Sequence, residues 1–352
     1  MPDDLDHAAG GVTPPDDGQG GRLDVVGVGS PLVDVLARTT DAALGRLDLI
    51  KGSMALVDLA QAEVIHAAMT EMTEISGGSA ANTMVGVAAL GGAAGFIGKV
   101  ADDRLGTVFA SDIRAAGVLF EPAGGRVAPT ADAGTGRCLV LVTGDAERTM
   151  ATHLGAAATL TPDDLDLDLI GRAELLYLEG YLWDLGPAKE AMRRAIAACH
   201  DHDGSVAFSL SDPFCVERNR HEFLDLLLGD VDVLFGNEDE LVALFAASSF
   251  DAAIAAAEET GLLVAATRGA RGSVVLTAHG PVEVGPRPVD VVVDTTGAGD
   301  LYAAGFLYGL SHGQEPVGCA ELGTLCAAEV ISHLGARPVA DLAVLAAEAG
   351  LA

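Results

Sequence analysis

Beyond Thr161-Pro162 the chain alternates short apolar runs with longer stretches of helical periodicity, and this alternation restricts the fold more than any other feature. The runs at 175–178, 206–210, 231–235, 262–267 and 273–277 read as strands, and 187–200, 221–228, 238–245 and 251–260 as helices. Strands that are apolar on both faces must be covered on both faces. The expected architecture is therefore α/β, a mostly parallel sheet with helices on each side. Ligands in such folds sit at the carboxyl ends of the strands.

The first half of the chain feeds the same sheet. A buried strand is expected at 23–28, stopped by Gly29-Ser30-Pro31, and another at 95–100. Helices are expected at 61–72, 79–90 and 105–116. Residues 137–143 and 148–153 read as a hairpin about Gly144-Asp145. Two β-rich pieces, near 33–58 and 118–152, interrupt the alternation and are expected to form a small lid. Residues 21–340 then make one domain, without internal repeats. Residues 1–20 are rich in Asp, Gly and Pro and read as a disordered acidic tail, and 341–352 as a C-terminal segment.

A formal net charge of -31 disfavours nucleic acid and anionic membranes as partners. It also means that any site for an anion must be locally positive, through backbone N–H groups, a metal ion and arginine, since only three lysines occur (Lys51, Lys99, Lys189). Five widely spaced cysteines without a CxxC pair point to a reducing compartment. With no apolar stretch in the first twenty residues, a cytoplasmic protein is expected. The uncharged run 75–98 is long enough to span a membrane, but its Gly, Ala, Ser and Asn content reads as a buried helix with glycine-rich ends.

The segment most concentrated in chemistry is 291–309, VVVDTTGAGDLYAAGFLYG. An apolar strand is expected to lead into Asp294-Thr295-Thr296-Gly297-Ala298-Gly299-Asp300, with a helix after it. Glycines allow a tight turn and close approach of a ligand, and the helix start offers free N–H groups to an anion. Asp300 alone reads equally well as a helix-start carboxylate. Beside an anion cradle it becomes a candidate base for phosphoryl transfer. In SGGSAAN (76–82), Gly77 and Gly78 admit a polar ligand, and Asn82 lies one helical turn from Ser79, which also suits a helix cap. Asp34 is placed to grip vicinal hydroxyls or to be a solvated surface residue. Asn237 and Glu240, after the apolar VDVLF, suit water-mediated Mg2+ binding or simple complementing of a helix dipole. Thr267, Arg268, Gly269 and Gly272 are candidates for nucleotide phosphates or ribose, or a plain turn. No GxxxxGK[ST] occurs, Gly27-x-Gly29 lacks the third glycine of a dinucleotide fingerprint, and the histidines show no metal-ligand spacing.

Two signatures stand in order: GGSAANTMVGVAALGG with FIGKVADDRLG, then DTTGAGDLYAAGFL. By these the chain, over about 22–340, resembles the ribokinase-like (PfkB) carbohydrate kinases. Among them it is most similar to the adenosine kinases. The resemblance implies ATP and Mg2+, with K+ at a monovalent-cation site near Asp294 and Thr296. It implies that Gly297, Ala298, Gly299 and Asp300 form the anion hole and base. It assigns ribose to Asp34, Gly78 and Asn82, and the transferred phosphate to a lid arginine, Arg148. The NxxE pattern of Asn237 and Glu240 corresponds to Mg2+ and phosphate organisation. LEGYLW and LSDPF place Tyr181 and Phe214 where adenosine kinases carry aromatics against the base, although both side chains also suit a core.

The expected activity is ATP-dependent phosphorylation of a nucleoside 5′-hydroxyl, adenosine first. Kinases for inosine, guanosine, ribose or fructose, and a non-catalytic nucleoside-binding protein, are the rivals. A dehydrogenase is the weakest. Monomer and lid-paired homodimer are both compatible with the sequence.

Overall fold

Fourteen strands form two sheets in the computed structural model, which describes residues 21–125, 134–145 and 147–351. In chain order they are β1 (Leu23–Val28), β2 (Leu32–Arg38), β3 (Met54–Leu56), β4 (Thr73–Gly77), β5 (Ala94–Ile97), β6 (Leu119–Phe120) and β7 (Gly136–Val142). Then follow β8 (Arg148–His153), β9 (Ala173–Glu179), β10 (Ser205–Ser209), β11 (Val233–Asn237), β12 (Leu263–Thr267), β13 (Ser273–Thr277) and β14 (Gly280–Val284). The large sheet runs β14-β13-β12-β11-β10-β9-β1-β5-β6, parallel except for β13 and β14 at one edge. The small sheet runs β3-β8-β7-β2-β4.

Helices cover both faces of the large sheet, as its doubly apolar strands require. One face packs on Ser79–Ala89, Arg104–Ala115, Ala298–Ser311 and Pro316–Val330, the other on Gly186–His200, Pro213–Gly229, Glu238–Phe245 and Phe250–Glu258. The small sheet has its own core of Val35, Ala37, Leu139, Leu141 and Ala151 against the helices Asp41–Arg46 and Leu59–Ala68. Strand periodicity turns the alternate residues, Leu32, Asp34, Cys138, Arg148, Met150 and Thr152, towards the cavity beneath. The lid is therefore a two-faced sheet, greasy outside under its helices and mixed inside over the site.

Several elements differ from expectation. Residues 291–293 form no strand: Val291, Val292 and Val293 are exposed, and the Val293 N–H donates to the Ile331 carbonyl (2.8 Å). The run introduces a turn packed on the 331–337 loop and never enters a sheet. The helix expected at 221 begins at Pro213, where Asp212 caps the Cys215 N–H (2.8 Å) and Pro213 opens the first turn. The lid also takes in β4, which pairs antiparallel with β2, whereas β6 extends the edge of the large sheet. The run 75–98 divides into the end of β4, the buried helix Ser79–Ala89 and β5. No single helix among the described residues is long and apolar enough to cross a membrane. The expected tail at 1–20 lies outside the described residues.

Candidate active site

The carboxyl ends of β1, β9, β10, β11 and β12 open under the lid into a cavity of about 470 Å³. Its lining carries the carboxylates Asp34, Glu179, Asp184, Glu240 and Asp300 against two guanidinium groups, Arg148 and Arg218.

Asp300 is the third residue of Ala298–Ser311. Gly297 takes φ of +77° at the cap, a left-handed turn that a side chain would force against Ala336, where a Cβ would lie 2.7 Å from the backbone. Gly297 and Gly299 line the cavity, and the first-turn N–H groups of Gly299 and Asp300 have no partner within the helix. The Asp300 carboxylate accepts from Ser79 Oγ (2.7 Å) and from Asn82 Nδ2 (3.0 Å). Ser79 thus serves Asp300 and does not cap its own helix, whose cap is Gly78. Two helices must come close for this. Gly86 permits it, since a Cβ there would meet Ala304 Cβ at 2.5 Å. Burial pushes the Asp300 carboxyl above the usual carboxylate range, while the Asn82 and Ser79 hydrogen bonds pull it down.

Asp34 projects from β2 opposite Ile75, close to Gly77, and lines the cavity with Gly78 and Asn82. Burial raises its carboxyl to about 7, against the lowering influence of Arg337 and Arg148. Arg148, at the start of β8, makes an ion pair with Asp294 and donates to Thr296 Oγ1, so it ties the small sheet to the turn before Ala298–Ser311. Asp294, expected at a cation site, is buried. Besides Arg148 it accepts from the N–H groups of Thr296 and Gly335 (both 2.8 Å).

Asn237 and Glu240 form a reciprocal cap. Asn237 Oδ1 accepts from the Glu240 N–H (2.9 Å), and the Glu240 carboxylate accepts from the Asn237 N–H (2.9 Å) and Nδ2 (2.6 Å). Glu240 is buried and raised to about 7, chiefly by burial. Second lone pairs on its oxygens remain for water. No cluster of three or more His, Cys, Asp or Glu side chains suited to a metal occurs among the described residues. That donor set fits a cation held mostly by water and phosphate, the mode of Mg2+, and not a protein cage.

Tyr181 lines the cavity, its hydroxyl donating to the Ser211 carbonyl (3.2 Å). Phe214 is 64% exposed at the first turn of its helix and is not among the lining residues. Thr267 lines the cavity, but Arg268, Gly269 and Gly272 do not. The Arg268 guanidinium instead lies over the Phe250 ring (4.6 Å) and pairs with Glu238 and Glu283.

Glu179 escaped the sequence reading. It is buried at the end of β9 and accepts from the Ser30 N–H (2.8 Å) and the Ala80 N–H (3.0 Å). It therefore joins the ends of β1 and β9 to the start of the helix that carries Ser79 and Asn82. Burial raises it to about 7. Its signal was a lone carboxylate ending an apolar strand, LLYLE.

The fold is shared with known proteins. A solved adenosine kinase from Sinorhizobium meliloti superposes with a TM-score of 0.88 at 44% identity, over 93% of this chain and 99% of that one. The adenosine kinase of Saccharomyces cerevisiae is 30% identical over 338 residues, 88% of this chain and 95% of that protein. A 5-dehydro-2-deoxygluconokinase from Geobacillus kaustophilus is 30% identical over 302 residues, 81% of this chain and 88% of that protein. Residues 48–342 match the pfkB family carbohydrate kinase domain, and the chain belongs to that family of kinases.

Proposed function

We propose that this kinase transfers the γ-phosphoryl group of ATP to the 5′-hydroxyl of a nucleoside, with adenosine the first candidate. The observation that carries the reading is the Asp300 carboxylate, held by Ser79 and Asn82 on the cavity wall beside the Gly297–Gly299 helix start. Each Asp300 oxygen keeps a lone pair after those bonds. The substrate hydroxyl gives its proton to Asp300 as its oxygen bonds to the γ-phosphorus, and the bond to the β-phosphate bridging oxygen breaks to release ADP. The helix-start N–H groups and Arg148 face the charge that develops. Mg2+, when bound through water near Glu240, neutralises phosphate charge. That matters in a cavity with five carboxylates. Asp34 and Asn82 hold the ribose hydroxyls, and the apolar lid residues Leu32, Met54, Leu56 and Met150 exclude water above the base. Asp294 and Thr296 remain the candidates for a monovalent-cation site, with Arg148 as the competing occupant of the Asp294 carboxylate.

A sugar-acid acceptor is the second reading, favoured by the similarity to 5-dehydro-2-deoxygluconokinases. ADP release from Mg-ATP with K+ present, tested separately with adenosine, inosine, guanosine, ribose, fructose and 5-dehydro-2-deoxygluconate, separates the readings. Turnover confined to adenosine is expected. Turnover with a sugar or sugar acid alone overturns the nucleoside assignment and leaves Asp300 in place. ADP release indifferent to every acceptor sinks both.

A further inference from the structure

Two charged side chains of the cavity lining, Asp184 and Arg218, have no role in phosphoryl transfer, ribose binding or fastening the strand ends. Asp184 closes the 3-10 turn Gly180–Asp184, which also carries Tyr181. Arg218 stands on Pro213–Gly229, four residues after Phe214 and so on the same helix face. Asp184, Tyr181 and Arg218 line one part of the site, where the base of a nucleoside is expected, while Phe214 lies outside the lining.

The pair is built with care. Arg218 grips Asp184 in a two-point fork, Nε on Oδ1 (3.2 Å) and Nη2 on Oδ2. Asn219 Nδ2 donates to the same Oδ1 (2.7 Å) and also to the Cys215 carbonyl (3.1 Å), which anchors the carboxylate to the helix backbone. Asp184 is thereby fixed by three donors. Its side chain still keeps 19% exposure, and that of Arg218 is 51% exposed. Arg218 Nη1 has no hydrogen-bond partner among the described residues. An ion pair this open contributes little to stability. Its worth lies in what it presents: a rigid acceptor beside a free donor, with little net charge between them.

We propose that Asp184 and Arg218 read the edge of the nucleobase, Asp184 accepting from an exocyclic amino group and Arg218 Nη1 donating to the ring nitrogen beside it. The proposal rests on the nucleoside reading above and deepens it. An aminopurine such as adenine carries this donor–acceptor pair on its edge. Tyr181, its hydroxyl tied to Ser211, supplies an apolar face for the ring while the polar pair meets its edge. A base lacking the amino group leaves the remaining Asp184 lone pair desolvated and unpaired, and this penalty produces discrimination.

The test compares adenosine with purine riboside, the same nucleoside without its 6-amino group, by kcat/KM and by equilibrium binding to the whole enzyme. Wild-type enzyme is expected to prefer adenosine by about 10- to 100-fold. In Asp184→Asn the preference should shrink to within about threefold, through loss on adenosine and little change on purine riboside. Arg218→Gln should raise KM for both nucleosides, since both keep the ring nitrogens, with kcat within about threefold of wild type. Asp184→Asn lowering both nucleosides in equal proportion, or leaving the preference intact, overturns the proposal and spares the nucleoside reading. Should Asp184→Asn not fold, equal wild-type use of the two nucleosides overturns it as well. Phosphorylation of neither nucleoside removes the nucleoside reading and this inference together.

Discussion

Asp300 shows how much a single side chain depends on its neighbours. At a helix start, a carboxylate is ordinarily a partner for the dipole. Here both oxygens accept from a second helix, so the group is held in one orientation with lone pairs left for substrate. Asp300→Asn should cost on the order of 10²-fold or more in kcat, with circular dichroism and melting temperature near wild type, because the amide cannot take the proton. Near-normal turnover would remove the base assignment. Asp34 offers a pH test. Burial pushes its carboxyl up to about 7, and in the proposed role as a ribose ligand it grips hydroxyls best when ionised, so that role predicts a KM for the nucleoside that falls about tenfold from pH 6 to pH 8. Asp34→Asn should flatten that profile, and a profile unchanged by the substitution would remove Asp34 from the ribose site.

At the scale of elements, the site depends on the ends of β1 and β9 meeting the starts of the helices Ser79–Ala89 and Ala298–Ser311. Glu179 is the fastening, since its two oxygens satisfy N–H groups of both Ser30 and Ala80. An amide can accept at only one of its two heads. Glu179→Gln should therefore destabilise the fold by about 1–3 kcal/mol and lower kcat as well, by loosening the helix that aims Ser79 and Asn82. Denaturant unfolding with parallel kinetics checks this, and a loss of stability without any loss of turnover would separate Glu179 from the catalytic geometry. The lid shows a similar economy. One strand alternation gives β2, β7 and β8 an outer core face and an inner substrate face.

Across the whole molecule, charge sets the working conditions. Asp34, Glu179 and Glu240 all titrate near 7 when folded, well above the ordinary carboxylate range, chiefly through burial. The folded chain thus binds more protons than the unfolded chain between about pH 4 and 7. Their contribution to stability is full below that window and lost as pH rises through about 7. Self-repulsion from a net charge of -31 acts in the same direction, and salt screens it. Melting temperature should be higher at pH 6 than at pH 8, and the gap should narrow in 0.5 M salt at about a 4 Å Debye length. A melting temperature that rises with pH would contradict the buried-carboxylate account.

The alternation of apolar runs and helical stretches determined, without any coordinates, that a parallel sheet would carry a site at its strand ends, because strands buried on both faces leave few other architectures. Local motifs singled out Asp300, Asn82, Asn237 and Glu240 as candidates, but the hydrogen bonds that join Ser79 and Asn82 to Asp300 cross more than 200 residues and appear only in the fold. Tertiary structure alone decided which residues face the cavity. Phe214 and Arg268 lie outside its lining, although Arg218 one helical turn from the first and Thr267 beside the second line it, because exposure and long-range pairing, not sequence position, set where a side chain ends up. Glu179, Asp184 and Arg218 were invisible in sequence for the same reason. Their partners lie between 34 and 149 residues away, and a carboxylate becomes a fastening or a reader only when the chain brings distant donors to it.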